Sequence, residues 1–302
     1  MSTYEWMLVA EMLLDSAAVL TLFLCLLVII QCKSLALNIK ILLTFSLLSQ
    51  SLIILSQIAI VSSNLSDGHY VLSMAADSDD FLMVFHEIGY VCNSLSTLYM
   101  ICERFYASKR LGDYERVGDA PFVCACIIVF SLAFATAWSY IVHVHSSHIF
   151  GCLSLVVMDG AGITLSITSY FYSVRKYRAT FGTTTLVERY QMSDVLEYSR
   201  SVLPACLTAS AIKFAGMVPV IIWVATDAFA FTYPRMFFFM SHTVTCLLMK
   251  LLLIYLHRGL NRTMYRLLGW KRIMSVTPIS TGAETTAHYF KLLQSSWNET
   301  PR

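Results

Sequence analysis

Ionisable and strongly polar residues stand inside long apolar stretches of this chain, and they set the chemistry open to it. Glu11 and Asp15 are four apart, so a helix carries both on one face. Gln50 and Gln57 are seven apart. His86, Tyr90, Asn93 and Thr97 follow a spacing of four, three and four, one helical stripe with Glu87 beside it. Asp159 is followed by Gly160 and Gly162. Lys213 precedes Gly216 and Pro219, and His242 and Lys250 close the series. Such residues are costly in an apolar setting and usually face the interior of a helix bundle. Two readings follow. In one, Glu87, Asp159, Lys213 and His242, with the stripe of His86, Tyr90 and Asn93, line an outer-half cavity for a small-molecule ligand. In the other they are interhelical pairs that fix packing, with Lys213 and Asp159 as a candidate pair, while Lys250 and Glu11 snorkel. Gly160, Gly162 and Gly216 allow close helix approach, which needs no ligand. No Ser/His pairing and no His-Glu-x-x-His pattern sits in these stretches, so neither an enzyme nor a cofactor is expected. His143, His145 and His148 could ligate a metal. No helix enforces their spacing, and the reading as solvated loop residues is the stronger, so no metal site is expected.

The elements that must position these residues are seven apolar runs, roughly 8–31, 41–62, 81–102, 122–143, 149–173, 202–225 and 236–257. Each reaches about 20 residues or more, enough at about 1.5 Å per residue to cross roughly 30 Å of hydrocarbon. Hydrophobic residues make up 57% of the chain and charged ones 13%, about half the charged share of a soluble domain. The 21 Lys and Arg are distributed unevenly between the runs. Segments 32–40, 103–121, 174–201 and 258–302 hold two, four, five and seven. The segment before run one, 63–80 and 144–148 hold none, and 226–235 holds only Arg235. Basic residues therefore alternate sides at every crossing, which is the positive-inside pattern. The expected fold is an all-α membrane protein, a seven-transmembrane helix bundle in a lipid bilayer, with its N-terminus outside. The net charge of +2 averages two opposed faces, and no nucleic-acid partner is expected. Residues 1–272 form the expected receptor-like domain. Residues 273–302 hold nine Ser/Thr among 30 residues and read as a flexible cytoplasmic tail. Between Thr183 and Leu203 there is neither Gly nor Pro, so Thr185 to Arg200 reads as an extension of the sixth helix into the cytoplasm. Leu260, Met264, Leu267 and Leu268 share one face of a short amphipathic helix over about 260–270.

The inner ends of the runs carry sharper motifs. Run three finishes in Glu103-Arg104-Phe105, continues Tyr106-Ala107-Ser108, and reaches Asp113-Tyr114-Glu115. An Arg at the inner mouth of a bundle can pair with an acid at rest, Glu103 or Glu188, and release it when helices part. Before run six stands Leu186-Val187-Glu188-Arg189-Tyr190-Gln191, about 70 residues beyond the first motif. Glu103-Arg104 resembles the Asp-Arg-Tyr type motif of G-protein-coupled receptors. The longer pattern resembles the nematode serpentine chemoreceptors, in particular the Sre-type class. These carry Glu-Arg followed by Ala-Thr or Ala-Ser, then Asp-Tyr-Glu, and a Ser-Glu-Arg-Tyr-Gln type segment; Val187 stands where Ser is usual. The resemblance implies a G-protein-coupled chemosensory receptor in the plasma membrane of sensory neuron cilia. It implies that Glu103, Arg104, Phe105, Asp113, Tyr114, Glu115, Glu188 and Arg189 meet a heterotrimeric G protein. The chain departs from rhodopsin-like receptors, since run seven lacks Asn-Pro-x-x-Tyr and run six has Pro219 without Cys-Trp-x-Pro.

Other classes fit the sequence less well. A small-solute transporter is the main alternative, but no repeat relates the halves. Nothing resembling a channel filter is visible. Of the nine cysteines, a Cys92–Cys152 bridge is one reading, and buried free thiols are the other. Three N-x-S/T sequons occur. Asn64 lies in the expected first outer loop and is the glycosylation candidate, whereas Asn261 and Asn298 fall on the inner side.

Overall fold

The computed structural model describes residues 3–66, 77–109, 120–144, 148–180, 186–226 and 232–270. Eight helices make up the described chain: α1 (Thr3–Gln31), α2 (Leu37–Ser66), α3 (Asp77–Lys109), α4 (Ala120–Val144), α5 (His148–Thr180), α6 (Leu186–Thr226), α7 (Thr232–Leu256) and α8 (Arg258–Leu267). There is no strand among the described residues. Helices are the economical solution for such apolar runs, because each backbone N–H and C=O is paired within its own segment. The helices outrun the apolar stretches at their ends. α3 continues to Lys109 and α5 to Thr180, since hydropathy marks only the part of a helix that water avoids. The extension before run six is helical, and α6 is 41 residues long. At about 1.5 Å per residue that is roughly 60 Å, twice the thickness of a hydrocarbon core. Pro204 and Pro219 both lie inside it. Each removes one N–H donor from the ladder.

Hydroxyls on the outer faces are absorbed locally. Thr136 donates to the Leu132 carbonyl at 2.9 Å and Thr168 to the Thr164 carbonyl at 2.8 Å. This back-bonding hides a polar group where no other partner is available. Large apolar side chains lie on the outside, among them Leu20, Phe23, Phe122, Val129, Tyr140 and Val157. Among the described residues, six helices are long and apolar enough to cross a membrane, with spans Glu5–Gln31, Leu37–Ser63, Pro121–Val142, Leu153–Ala179, Gln191–Ile222 and Met236–Leu256. The multi-pass, lipid-facing character expected from composition is therefore present.

α3 is the helix that departs from the seven expected. It is 33 residues long, but acids, amides and hydroxyls interrupt its apolar residues far more often than in α4 beside it. Its place explains why. α1 packs on α2 and α7, α6 on α5 and α7, and α3 touches α2, α4, α5 and α6. No residue from Leu82 to Ile101 is exposed. A helix enclosed by four others meets side chains rather than lipid, so it can carry His86, Asn93, Ser94 and Ser96 without cost to a lipid face.

Gly216 is where a small residue is required. A Cβ there would overlap the Ser241 side chain, so it sets how closely α6 and α7 approach. Gly89 does the same between α3 and α2, where a Cβ would lie 2.7 Å from Ile53 Cγ1. Gly160 and Gly162 differ from expectation: nothing lies within 4 Å of a Cβ at either position.

The chain divides into two compact units, Met1–Met264 and Tyr265–Arg302. In the described part of the second, the helix stops at Gly269, whose φ of 67° glycine alone adopts without strain. Gly269 N–H donates to the Arg266 carbonyl at 3.2 Å and Trp270 N–H to the Tyr265 carbonyl at 3.0 Å. The Trp270 and Tyr265 rings pack at 6.0 Å, completing a Schellman cap with its apolar contact. The tail from 273 lies outside the described residues.

Candidate functional site

Two constellations carry the chemistry, and both are built on α3. The first lies along its His86–Asn93 stripe. Tyr90 donates its hydroxyl to Asp159 Oδ2 of α5 at 3.0 Å, and Ser94 donates to Asp159 Oδ1 at 3.1 Å. Lys213 of α6 reaches both carboxylate oxygens at 3.2 Å, with its ammonium 4.6 Å from the centre of the Tyr90 ring. Asp159 and Lys213 are thus a pair, as the packing reading expects, and its charges are further served by two hydroxyls and a π face. A buried pair needs such extra partners to offset its desolvation.

The network continues through α3 to the far helices. The Tyr90 and His242 rings are 4.7 Å apart, and His242 is 5.9 Å from His86. Gln57 Nε2 lies 3.2 Å from His86 Nε2, within hydrogen-bond distance. The Thr243 hydroxyl lies 2.9 Å from Gln57 Oε1 and 2.7 Å from Asp15 Oδ1. Lys250 donates to Ser46 at 2.6 Å, and Ser46 donates to Asn93 at 2.9 Å. Six helices are joined in this way. Lys250 and Glu11 do not snorkel, being each only 1% exposed. Neither ring nitrogen of His242 has a hydrogen-bond partner among the described residues, although the residue is 1% exposed.

Not every expected residue joins this cluster. Glu87 turns to α4 and accepts a hydrogen bond from Ser139 at 3.0 Å. Asn93 does reach the cavity below the ion pair, which Thr97, Asp159, Cys206, Ser210 and Lys213 also line. That cavity measures about 30 Å3. It suits one or two waters rather than a small-molecule ligand, which needs roughly ten times more. The expected ligand residues are therefore largely gathered, with Tyr90, Asp159 and Lys213 paired to one another, Glu87 turned to Ser139 and the His242 nitrogens unpartnered among the described residues.

The second constellation stands at the Arg104 end of the bundle. Arg104 is 4% exposed. Its Nε and terminal nitrogen donate to Glu103 at 2.5 and 2.8 Å, a bidentate fork. A third nitrogen lies 3.6 Å from Asp194 of α6, and the guanidinium is 5.7 Å from the centre of the Tyr198 ring. Burial works against the charge, but the hydrogen bonds and charge of Glu103, helped by Asp194, hold its pKa above the ordinary arginine value. The α6 acid that meets Arg104 is therefore Asp194. Glu188, the expected partner on α6, stands six residues, about 9 Å, further along the helix. Asp194 and Tyr198 are four apart, on one face of the extension; that spacing was the available signal.

Neighbouring groups tie the same end together. Phe105 packs on Tyr172 of α5 at 4.9 Å, and Lys176 of α5 donates to the Ser108 carbonyl and, at 3.1 Å, to that of Lys109. Glu197 of α6 accepts the Arg258 N–H at 2.9 Å, so it caps α8 from another helix. His257 is buried between them, 6.1 Å from Tyr198. Burial holds its pKa below the usual histidine value against the pull of Glu197. Glu188 and Arg189 are half-buried on α6. Asp113, Tyr114 and Glu115 lie outside the described residues.

No group of three or more metal-ligating side chains occurs among the described residues. Cys92 is a free thiol, its Sγ 3.7 Å from the Ser131 carbonyl. Asn64-Leu65-Ser66 occupies the last turn of α2, not a loop. Asn261 is 6% exposed and donates its amide to the Tyr255 carbonyl at 2.8 Å, which leaves no room for a glycan. No protein-family model matches the chain, and no curated protein is similar to it at a significant level.

Proposed function

We propose that this chain is a seven-helix, G-protein-coupled chemosensory receptor of the nematode serpentine kind. In this reading α3 is the seventh crossing, tolerated as a polar helix because other helices enclose it. The N-terminus lies outside, and the Arg104 end faces the cytoplasm of a sensory cilium. A small-molecule cue binds on the other side of the Tyr90–Asp159–Lys213 cluster and signals to a heterotrimeric G protein. The observation that carries the reading is the buried Arg104, held by Glu103 on its own helix and by Asp194 on α6. That is a two-state contact: made, it joins α3 to α6; broken, it frees a 41-residue lever. The cavity of about 30 Å3 supports a resting state in which a cue must reorganise the polar cluster to enter. A panel of small molecules tested on cells expressing the chain, read by calcium or cyclic nucleotide, should find responses that Arg104→Ala abolishes while ligand binding persists. Responses of equal size in the variant would count against it.

One observation favours a second reading, a small-solute transporter. A file of polar side chains, Asp15, Thr243, Gln57, His86, His242, Tyr90, Asp159 and Lys213, crosses the bundle with ring contacts alone at His242, and polar files of this kind line proton paths in transporters. Solute uptake that persists when the G protein is removed would select it.

A further inference from the structure

At the Arg104 end, a cavity of about 330 Å3 opens between the ends of α5 and α7, the first half of α6 and the start of α8. It lies at the low end of the size range of small-molecule sites. Its lining combines two guanidinium groups, Arg200 and Arg258, with the hydroxyls of Tyr177 and Ser193 and an apolar wall from Leu196 and Leu256. Neither guanidinium has a protein partner among the described residues. Other charges nearby are engaged: Arg104 with Glu103 and Asp194, Lys176 with two carbonyls. Glu197 also lines the cavity, but its carboxylate accepts the first N–H of α8. The α8 start is thus already occupied, and the lining sets two arginines against one engaged carboxylate.

We infer that this cavity binds the phosphorylated headgroup of an anionic membrane lipid, gripped by Arg200 and Arg258. A guanidinium offers a planar fork that matches phosphate oxygens two at a time. Ser193 adds a neutral hydroxyl at the same wall. The depth favours a lipid over a soluble anion. The apolar span of α7 ends at Leu256, and Arg258 follows two residues later, so the cavity straddles the boundary between apolar and charged chain. Tyr255 is 67% exposed beside it, an aromatic suited to the headgroup layer. Basic pockets between membrane helices at this level take lipid headgroups. The inference needs the chain to sit in a bilayer but not to be a receptor. A lipid there would touch α5, α6, α7 and α8 together, and so would brace α6 near Asp194.

The test uses the full chain in nanodiscs of phosphatidylcholine with and without a few per cent of phosphatidylinositol phosphate. Retained lipid is counted by native mass spectrometry, and Tm is read alongside. The phosphorylated lipid should be retained about tenfold over phosphatidylcholine and should raise Tm. Retention should fall severalfold in R200Q/R258Q and in S193E, which places a carboxylate in the cavity. K33Q/K40Q removes the same charge from the α1–α2 turn and the first turn of α2 and should leave retention unchanged. Lys33 and Lys40 are a fair control, because Ser34 contacts the Gly259 position and so lies at the same end. Equal retention in wild type, R200Q/R258Q and S193E overturns the site. Equal loss in K33Q/K40Q and R200Q/R258Q overturns it too, as diffuse surface attraction. Inorganic phosphate or a soluble inositol phosphate raising Tm as much as the lipid overturns the assignment to lipid.

Discussion

Lys213 has three partners, two carboxylate oxygens at 3.2 Å and the Tyr90 ring, and it also lines the small cavity. Removing it alone leaves Asp159 buried without its counter-ion. Lys213→Ala is therefore expected to cost about 3–5 kcal/mol and to reduce surface expression sharply. Lys213→Met combined with Asp159→Leu removes both charges and should recover most of that loss, because a matched apolar pair carries no uncompensated charge. Surface labelling and Tm of the two variants check this; a double variant as impaired as the single would contradict it. His257 gives a pH dependence of known sign. Its folded-state pKa lies below the usual 6.5, so the neutral ring is the favoured form. The stability it contributes is complete above about pH 6.5 and is lost as pH falls below it. Tm should drop between pH 7.5 and pH 5.5, and the drop should be smaller in His257→Asn.

Among the elements, α3 is the long helix on which each constellation depends, and the one richest in polar side chains among those expected to cross. The sequence made its stripe legible, because His86, Tyr90, Asn93 and Thr97 recur at helical spacing. It also made the sixth-helix extension legible through its lack of Gly and Pro. It could not say which acid on that extension reaches Arg104. Glu188 and Asp194 are both acidic, and only the register of α6 against α3 chooses Asp194. Nor could spacing show that Glu87, one residue from His86, turns to Ser139 on α4. The glycines illustrate the same limit. Three looked equivalent in the sequence, yet Gly216 alone of them lies against another helix, and Gly160 and Gly162 face open space. Gly216→Ala should then cost roughly 1–3 kcal/mol through overpacking against Ser241. Gly160→Ala should be neutral or slightly stabilising, since alanine is the better helix former by about 1 kcal/mol. Thermal unfolding of the two variants in nanodiscs separates these outcomes; equal losses would contradict the packing of α6 on α7.

For the whole molecule, orientation decides which constellation would meet a cue and which a partner in the proposed receptor. Lys and Arg crowd the segments next to the Arg104 end, and that asymmetry supports placing it in the cytoplasm. Glycosidase-sensitive mass should come from Asn64, while Asn298 stays bare; glycan on Asn298 would reverse the orientation. In the proposed receptor the Arg104–Asp194 contact holds α6 against α3 at rest, and its loss admits a G protein. The direct measurement is nucleotide exchange on a purified heterotrimeric G protein, with the chain reconstituted in nanodiscs and no cue added. Asp194→Asn should raise basal exchange severalfold over wild type, and adding Arg104→Ala to it should return exchange to the level of empty nanodiscs. Exchange that stays at the empty-nanodisc level in Asp194→Asn, with the variant folded and inserted, would contradict the account.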